Sequence, residues 1–203
     1  MLKILFGATV LLLGACAQQN VISHVNQRPI FTPSLLAYAA RDGAAPLEIH
    51  GALPAGLTAE ELAPALRLPG RSEGLRLVTA QGPDRAVTDS GNAAIALLDD
   101  RIKTMLGRDG RDFRIVLLFH PHYQTLPERA CEEASEIPSE TGGDVRVMAV
   151  YCIGSHEAAS GQARIPSPYA DSKGIAGAIN LLLIDMSRPQ PDSGFQSGNR
   201  RRD

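Results

Sequence analysis

The sequence predicts an α/β (α+β) domain behind an N-terminal signal segment, with a mixed sheet of four or five strands and helices packed on it. Three observations carry this reading. Helical and strand periodicities interleave over the first two thirds of the chain, as a layered sheet-and-helix domain requires. The unbroken apolar run from Ile115 to Phe119 needs cover on both faces. Two strand-like runs close to the C-terminus are separated only by a short turn around Gly154, which suggests a hairpin.

The elements follow in order. Thr32-Pro33 is a cap with proline in the first turn and Asp42-Gly43 a stop, so residues 33–41 read as a short helix. Leu47 to His50 alternates as a strand. Thr58 and Glu61 have capping-box spacing, which starts a helix running to about Leu66 and closed near Pro69-Gly70. Leu75 to Thr79 is a second strand. Asp89 or Ser90 caps a helix whose stripe is Ile95, Leu98, Ile102 and Met105, with Asp99 and Lys103 paired on the wet face and Gly107 at the end. Pro127 opens a short helix carrying Cys131. Val145 to Ile153 reads as the longest strand, Gly154 to Glu157 as a turn, and Ala158 to Ile165 as a weaker, edge-like return. Ser172 to Met186 is a broadly apolar helix with Ile175, Ile179, Leu182 and Met186 inward and Pro189 beyond its end.

The N-terminus supplies an address. Lys3 gives a positive start, Ile4 to Leu13 is apolar or small throughout, and Gly14-Ala15-Cys16 follows. Such a run is too short to span a bilayer core, which takes about 20 residues, and has the parts of a secretory signal. The run Leu13-Gly14-Ala15-Cys16 resembles the lipobox of bacterial lipoproteins. That resemblance covers the first sixteen residues. It implies cleavage of the signal peptide 1–15 before Cys16 and acylation of that cysteine, with a diacylglyceryl thioether and an N-linked palmitate-type chain. It further implies a bilayer as the first partner and a domain facing the periplasm. Ala17, rather than the aspartate that retains many such proteins in the inner membrane, leans towards the outer membrane. Farther along, Phe113 to Pro121, Cys131, Val145 to Cys152 and Ser160-Gly161 form a strand–Cys–strand–Cys pattern. Over those fifty or so residues the chain resembles uncharacterised proteobacterial lipoproteins, a likeness that implies no activity.

Three cysteines are an awkward number for an exported chain. With Cys16 lipidated, Cys131 and Cys152 remain. An oxidising periplasm pairs them, and the alternative is two buried free thiols. These two lie far apart in sequence, and neither belongs to a Cys-x-x-Cys metal pair. Removing residues 1–15 leaves 188, enough for one domain with a substantial core. The expected organisation is a lipidated cysteine with a polar tether over 16–31, one globular domain over 32–187, and a disordered tail over 188–203. That tail is rich in Pro, Ser, Gly and Gln and ends in Arg200-Arg201-Arg202-Asp203. A formal charge of −2 gives no basic face for nucleic acid, and the absence of tryptophan argues against an aromatic cage.

Several residues carry possible chemistry. His120 and His122 lie at i and i+2 behind the central strand and share a face, with His50 or His156 as a third metal ligand. No carboxylate or cysteine stands at ligand spacing, so the expected metal and cofactor set is none. Ser90 sits in Thr88-Asp89-Ser90-Gly91-Asn92, a stretch that suits a helix cap as well as a nucleophile and lacks any Gly-x-Ser-x-Gly elbow. Ser155-His156-Glu157 reads as a turn, since adjacent residues cannot converge as a triad does. Glu132, Glu133, Glu136 and Glu140 form a solvated acidic face without calcium-loop spacing. No catalytic cluster emerges. The function expected is a binding or accessory domain with a partner in the envelope, and the alternative is a periplasmic hydrolase or metal binder using Ser90 or His120/His122.

Overall fold

The computed structural model describes residues 21–31, 44–54, 56–68, 76–79 and 113–188. The helices expected over 33–41 and 89–107, the signal segment with Cys16, Ser90, and the tail beyond Arg188 lie outside these residues. The described elements are strands β1 (Val21–Gln27), β2 (Ala44–Gly51), β3 (Arg76–Thr79), β4 (Phe113–Phe119), β5 (Val145–Ile153) and β6 (His156–Ile165). The α-helices are α1 (Ala59–Leu62), α2 (Pro127–Glu133) and α3 (Ser172–Ser187).

The strands form one mixed sheet in the order β1-β6-β5-β4-β2-β3. β2 runs parallel to both β3 and β4, while β4, β5, β6 and β1 alternate in direction. The class is therefore the α+β one expected, with six strands among the described residues in place of four or five.

The extra strand corrects the expected domain boundary. Composition suggests a tether over residues 16–31, yet Val21–Gln27 pairs antiparallel with β6. Its apolar side chains Ile22 and Val25 both pack on the core although they are three residues apart. A register shift between Ile22 and His24 accounts for this, since an extra residue at a bulge returns both side chains to one face and removes the period-two pattern. A second correction concerns β6. It has ten residues, one more than β5, and lies between β5 and β1 rather than at an edge. Its small residues are an accommodation to α3: a Cβ on Gly161 would stand 2.7 Å from Leu182 Cδ1.

Both faces of the central strands are covered. On one face Ile115, Leu117, Phe119, Val147 and Ala149 meet Ile175, Ile179, Leu182 and Met186 of α3, the inward stripe that the periodicity indicated. On the other face Val116, Leu118, Met148 and Val150 meet Ala130 and Cys131 of α2 and the following Ala134 and Ile137. Tyr151 is fully buried in the first layer, stacked on Phe31 at 5.8 Å. Its hydroxyl lies 3.3 Å from the Leu183 carbonyl and 3.2 Å from Ser187 Oγ, which gives the buried phenol polar partners, and burial raises its pKa. The capping box on α1 forms, with Thr58 Oγ1 accepting from the Glu61 amide and Glu61 accepting from the Thr58 amide. Asn180 of α3 joins that segment to the core. It accepts from the Arg67 amide at 2.7 Å and donates to the Ala65 carbonyl at 3.1 Å.

Candidate functional site

In open sheets ligands favour the crevice beyond the carboxyl ends of parallel strands, which makes the end of β2 and β4 the natural place to look. The two strands terminate close together there. Gly51 has φ of 89°, and a Cβ at this position would lie 2.2 Å from the Phe119 carbonyl oxygen. Ser139 seals the junction, donating through Oγ to that same carbonyl at 3.0 Å and accepting from the Ala52 amide at 3.0 Å.

His120 turns the chain out of β4. It has φ of 51°, and among the described residues no other non-glycine residue has positive φ. Its amide donates to the Arg146 carbonyl and its carbonyl accepts from the Glu140 amide, both at 2.8 Å. The side chain is only 7% exposed, and Nδ1 is buried without a partner. Burial, reinforced by the Arg146 charge and opposed by Glu140, holds the imidazole pKa below its ordinary value. A strained, buried, neutral imidazole is the kind of group that functional sites retain.

His122 does not join it as a metal pair. Its Nδ1 accepts from the Gln124 amide at 3.2 Å, while Nε2 lies 3.6 Å from Glu140 Oε1. Both ring nitrogens are thus engaged within the loop, and the ring packs against Tyr123 at 4.4 Å. Glu140 also pairs with Arg146, so this carboxylate of the expected acidic face is held between the loop and β5. The other histidines named from the sequence stand elsewhere. His50 lies 3.3 Å from Glu48 on β2, and His156 sits opposite Ile153 at the far hairpin. Among the described residues no three of His, Cys, Asp and Glu gather as a metal site.

A second polar cluster was invisible in the sequence. Glu157 was placed in a turn, yet it belongs to β6 and its side chain is 1% exposed. It accepts from Arg28 Nε at 2.9 Å, from Asn26 Nδ2 at 3.3 Å and from Ser160 Oγ. Arg28 continues to Glu128 on α2, so one chain of charge-assisted bonds joins β1, β6 and α2. Burying a carboxylate is costly unless its oxygens are filled, and here three donors fill them. Asn26 and Arg28 lie in the stretch whose composition reads as a tether, which hides the partners of Glu157. No histidine takes part in these bonds, so the cluster has the form of a clasp rather than of a nucleophile with its base.

Cys131 on α2 and Cys152 on β5 are joined by a disulfide, with Cα atoms 5.4 Å apart. Both are buried among the apolar residues under α2. Arg114 on β4 secures the same region. It donates through Nη1 to the Gly154 carbonyl at 2.9 Å and through Nη2 to the Cys131 carbonyl, and its Nε lies 3.1 Å from Glu48. The sequence matches no protein-family model, and no curated protein or solved structure matches it.

Proposed function

We propose that this chain is a lipid-anchored protein of the cell envelope, a disulfide-clamped binding or accessory domain that acyl chains on Cys16 hold facing the periplasm. The observation that carries the reading is the Cys131–Cys152 disulfide. Such bonds persist in oxidising compartments such as the periplasm. Pairing these two also accounts for the odd count, because the one cysteine left over is Cys16, directly after Leu13-Gly14-Ala15. Several acyl chains on one residue give a durable anchor, since each buried CH₂ contributes about 0.8 kcal/mol and a single chain is marginal. The anchor in turn suits a binding role, because confinement to one surface raises the effective concentration of a domain near its partner. Ala17 favours the outer membrane as the site of retention.

Intact-mass analysis of the membrane-extracted protein tests this. The expected species begins at Cys16, carries acyl mass on that residue and is two hydrogen atoms lighter for the disulfide. A mature chain beginning at unmodified Ala17 or Gln18, or one with free Cys131 and Cys152 thiols, overturns the reading.

A further inference from the structure

The two ends of the sheet differ in what they present, and the point where the chain joins the sheet selects one of them. Val21 is in register with Arg164, Arg164 with Arg146, and the Arg146 carbonyl accepts from the His120 amide. The start of β1 and the carboxyl end of β4 therefore lie at the same end of the sheet. They are three strand spacings apart, about 14 Å. Cys16 precedes Val21 by five residues, so the covalent chain separates the two by at most about 18 Å. An acyl anchor on Cys16 thus holds this end of the sheet close to the bilayer.

The same end carries the start of the loop that leaves β4, and this stretch shows the most exposed large apolar side chain among the described residues. Tyr123 is 71% exposed, and its ring lies against His122 beside Glu140, whose amide bonds the His120 carbonyl. At this end Arg146 pairs with Glu140 and Arg164 with Asp144, so these two carboxylates are offset. Towards the opposite end, α2 is clamped to Cys152 and turns Glu132 to solvent, while Glu133 beside it pairs with Arg129.

We propose that the β4 end of the sheet rests on the bilayer that holds Cys16, with Tyr123 entering its interfacial layer as a second contact. This rests on the lipid-anchor reading and adds an orientation to it. A tyrosine suits that depth because its ring is apolar and its hydroxyl stays wet. Because the anchor has already confined the domain, a contact too weak to bind a free protein suffices to orient it. The hairpin at Gly154-Ser155, at the opposite end, then faces away from the membrane.

The absence of tryptophan gives a clean test. Tyr123→Trp installs a single fluorophore at the proposed contact, and His156→Trp installs one at the far hairpin. Each full-length lipidated variant is reconstituted into phosphatidylethanolamine–phosphatidylglycerol vesicles with and without brominated acyl chains. Flotation and intact mass are recorded on the same samples. The expected result is a loss of emission in brominated vesicles and a shift to shorter wavelength for Tyr123→Trp, with neither for His156→Trp. Unquenched Tyr123→Trp emission from acylated, vesicle-bound protein overturns the orientation and leaves the anchor standing, as does quenching of His156→Trp alone. Protein without acyl mass on Cys16 overturns the anchor, and the orientation falls with it.

Discussion

Removing the disulfide should lower stability by an amount set chiefly by the length of chain it closes. Cys131 and Cys152 are 21 residues apart. The loop-entropy relation assigns a closure of that length about 3 kcal/mol at room temperature. For a domain of 150 residues or more, each kcal/mol moves the melting midpoint by about 2–4 °C, so the expected fall is about 6–12 °C. The Cys131→Ala/Cys152→Ala double variant is the appropriate perturbation, because serine at these buried positions would add unpaired hydroxyls and a separate penalty. The assay is thermal and urea unfolding of three samples: the oxidised protein, the same protein with reductant, and the double variant. The last two should agree with each other and fall below the first. The urea slope should rise when the bridge is absent, since an uncrosslinked unfolded chain exposes more surface. Midpoints that coincide within about a degree in all three samples would refute the reasoning. The bridge would then be unformed in the protein as purified, and the inference from cysteine pairing to an oxidising compartment would lose its support.

Two further outcomes follow from the polar clusters. Glu157→Gln keeps the side-chain shape but leaves one carbonyl oxygen where Arg28, Asn26 and Ser160 all donate. A loss of about 2–3 kcal/mol in urea unfolding is expected, at the low end for a broken buried pair because Arg28 itself is half exposed; a change near zero would show that the clasp contributes nothing. His120 predicts a pH dependence. Its folded pKa lies below the unfolded value of about 6.5, so the unfolded chain binds the proton more readily. Its contribution is fully present above about pH 6.5 and is lost as pH falls from there towards the folded pKa. His120→Asn removes the titration while tolerating the positive φ, so urea midpoints measured from pH 7.5 down to 5 should fall less for the variant than for the parent. Parallel curves would exclude His120 as the source.

The elements legible in the sequence are those whose side chains must meet one apolar layer or two. The run Ile115–Phe119 announced a strand buried on both faces, and α2 and α3 cover it in that way. The stripe Ile175, Ile179, Leu182 and Met186 placed α3, and Thr58 with Glu61 placed the start of α1. These are local signals, set by periodicity and by short side-chain-to-backbone bonds.

The candidate site was only partly legible for the same reason. His120 and His122 stood out as a pair, but a backbone turn at φ of 51° buries the first, while loop bonds occupy the second. Pro121 between them signals that the strand is turning into a loop, but no local pattern announces the positive φ. The Glu157 clasp depends on Asn26 and Arg28, more than a hundred residues away, and only strand pairing brings them to it.

The amino-acid sequence alone specified the α+β class, the central strand, the longest helix among the described residues, and the cysteine arithmetic that pairs Cys131 with Cys152. The tertiary structure decided the neighbours. It made β1 a strand where composition indicated a tether, moved β6 from the edge to the interior, and set the order β1-β6-β5-β4-β2-β3. The physical reason is that hydrophobic periodicity specifies which face a strand turns to the core, whereas the backbone hydrogen bonds that join strands are nearly the same for every sequence. A bulge of one residue was enough to erase the periodicity of β1, and the pairing with β6 held it in the sheet regardless.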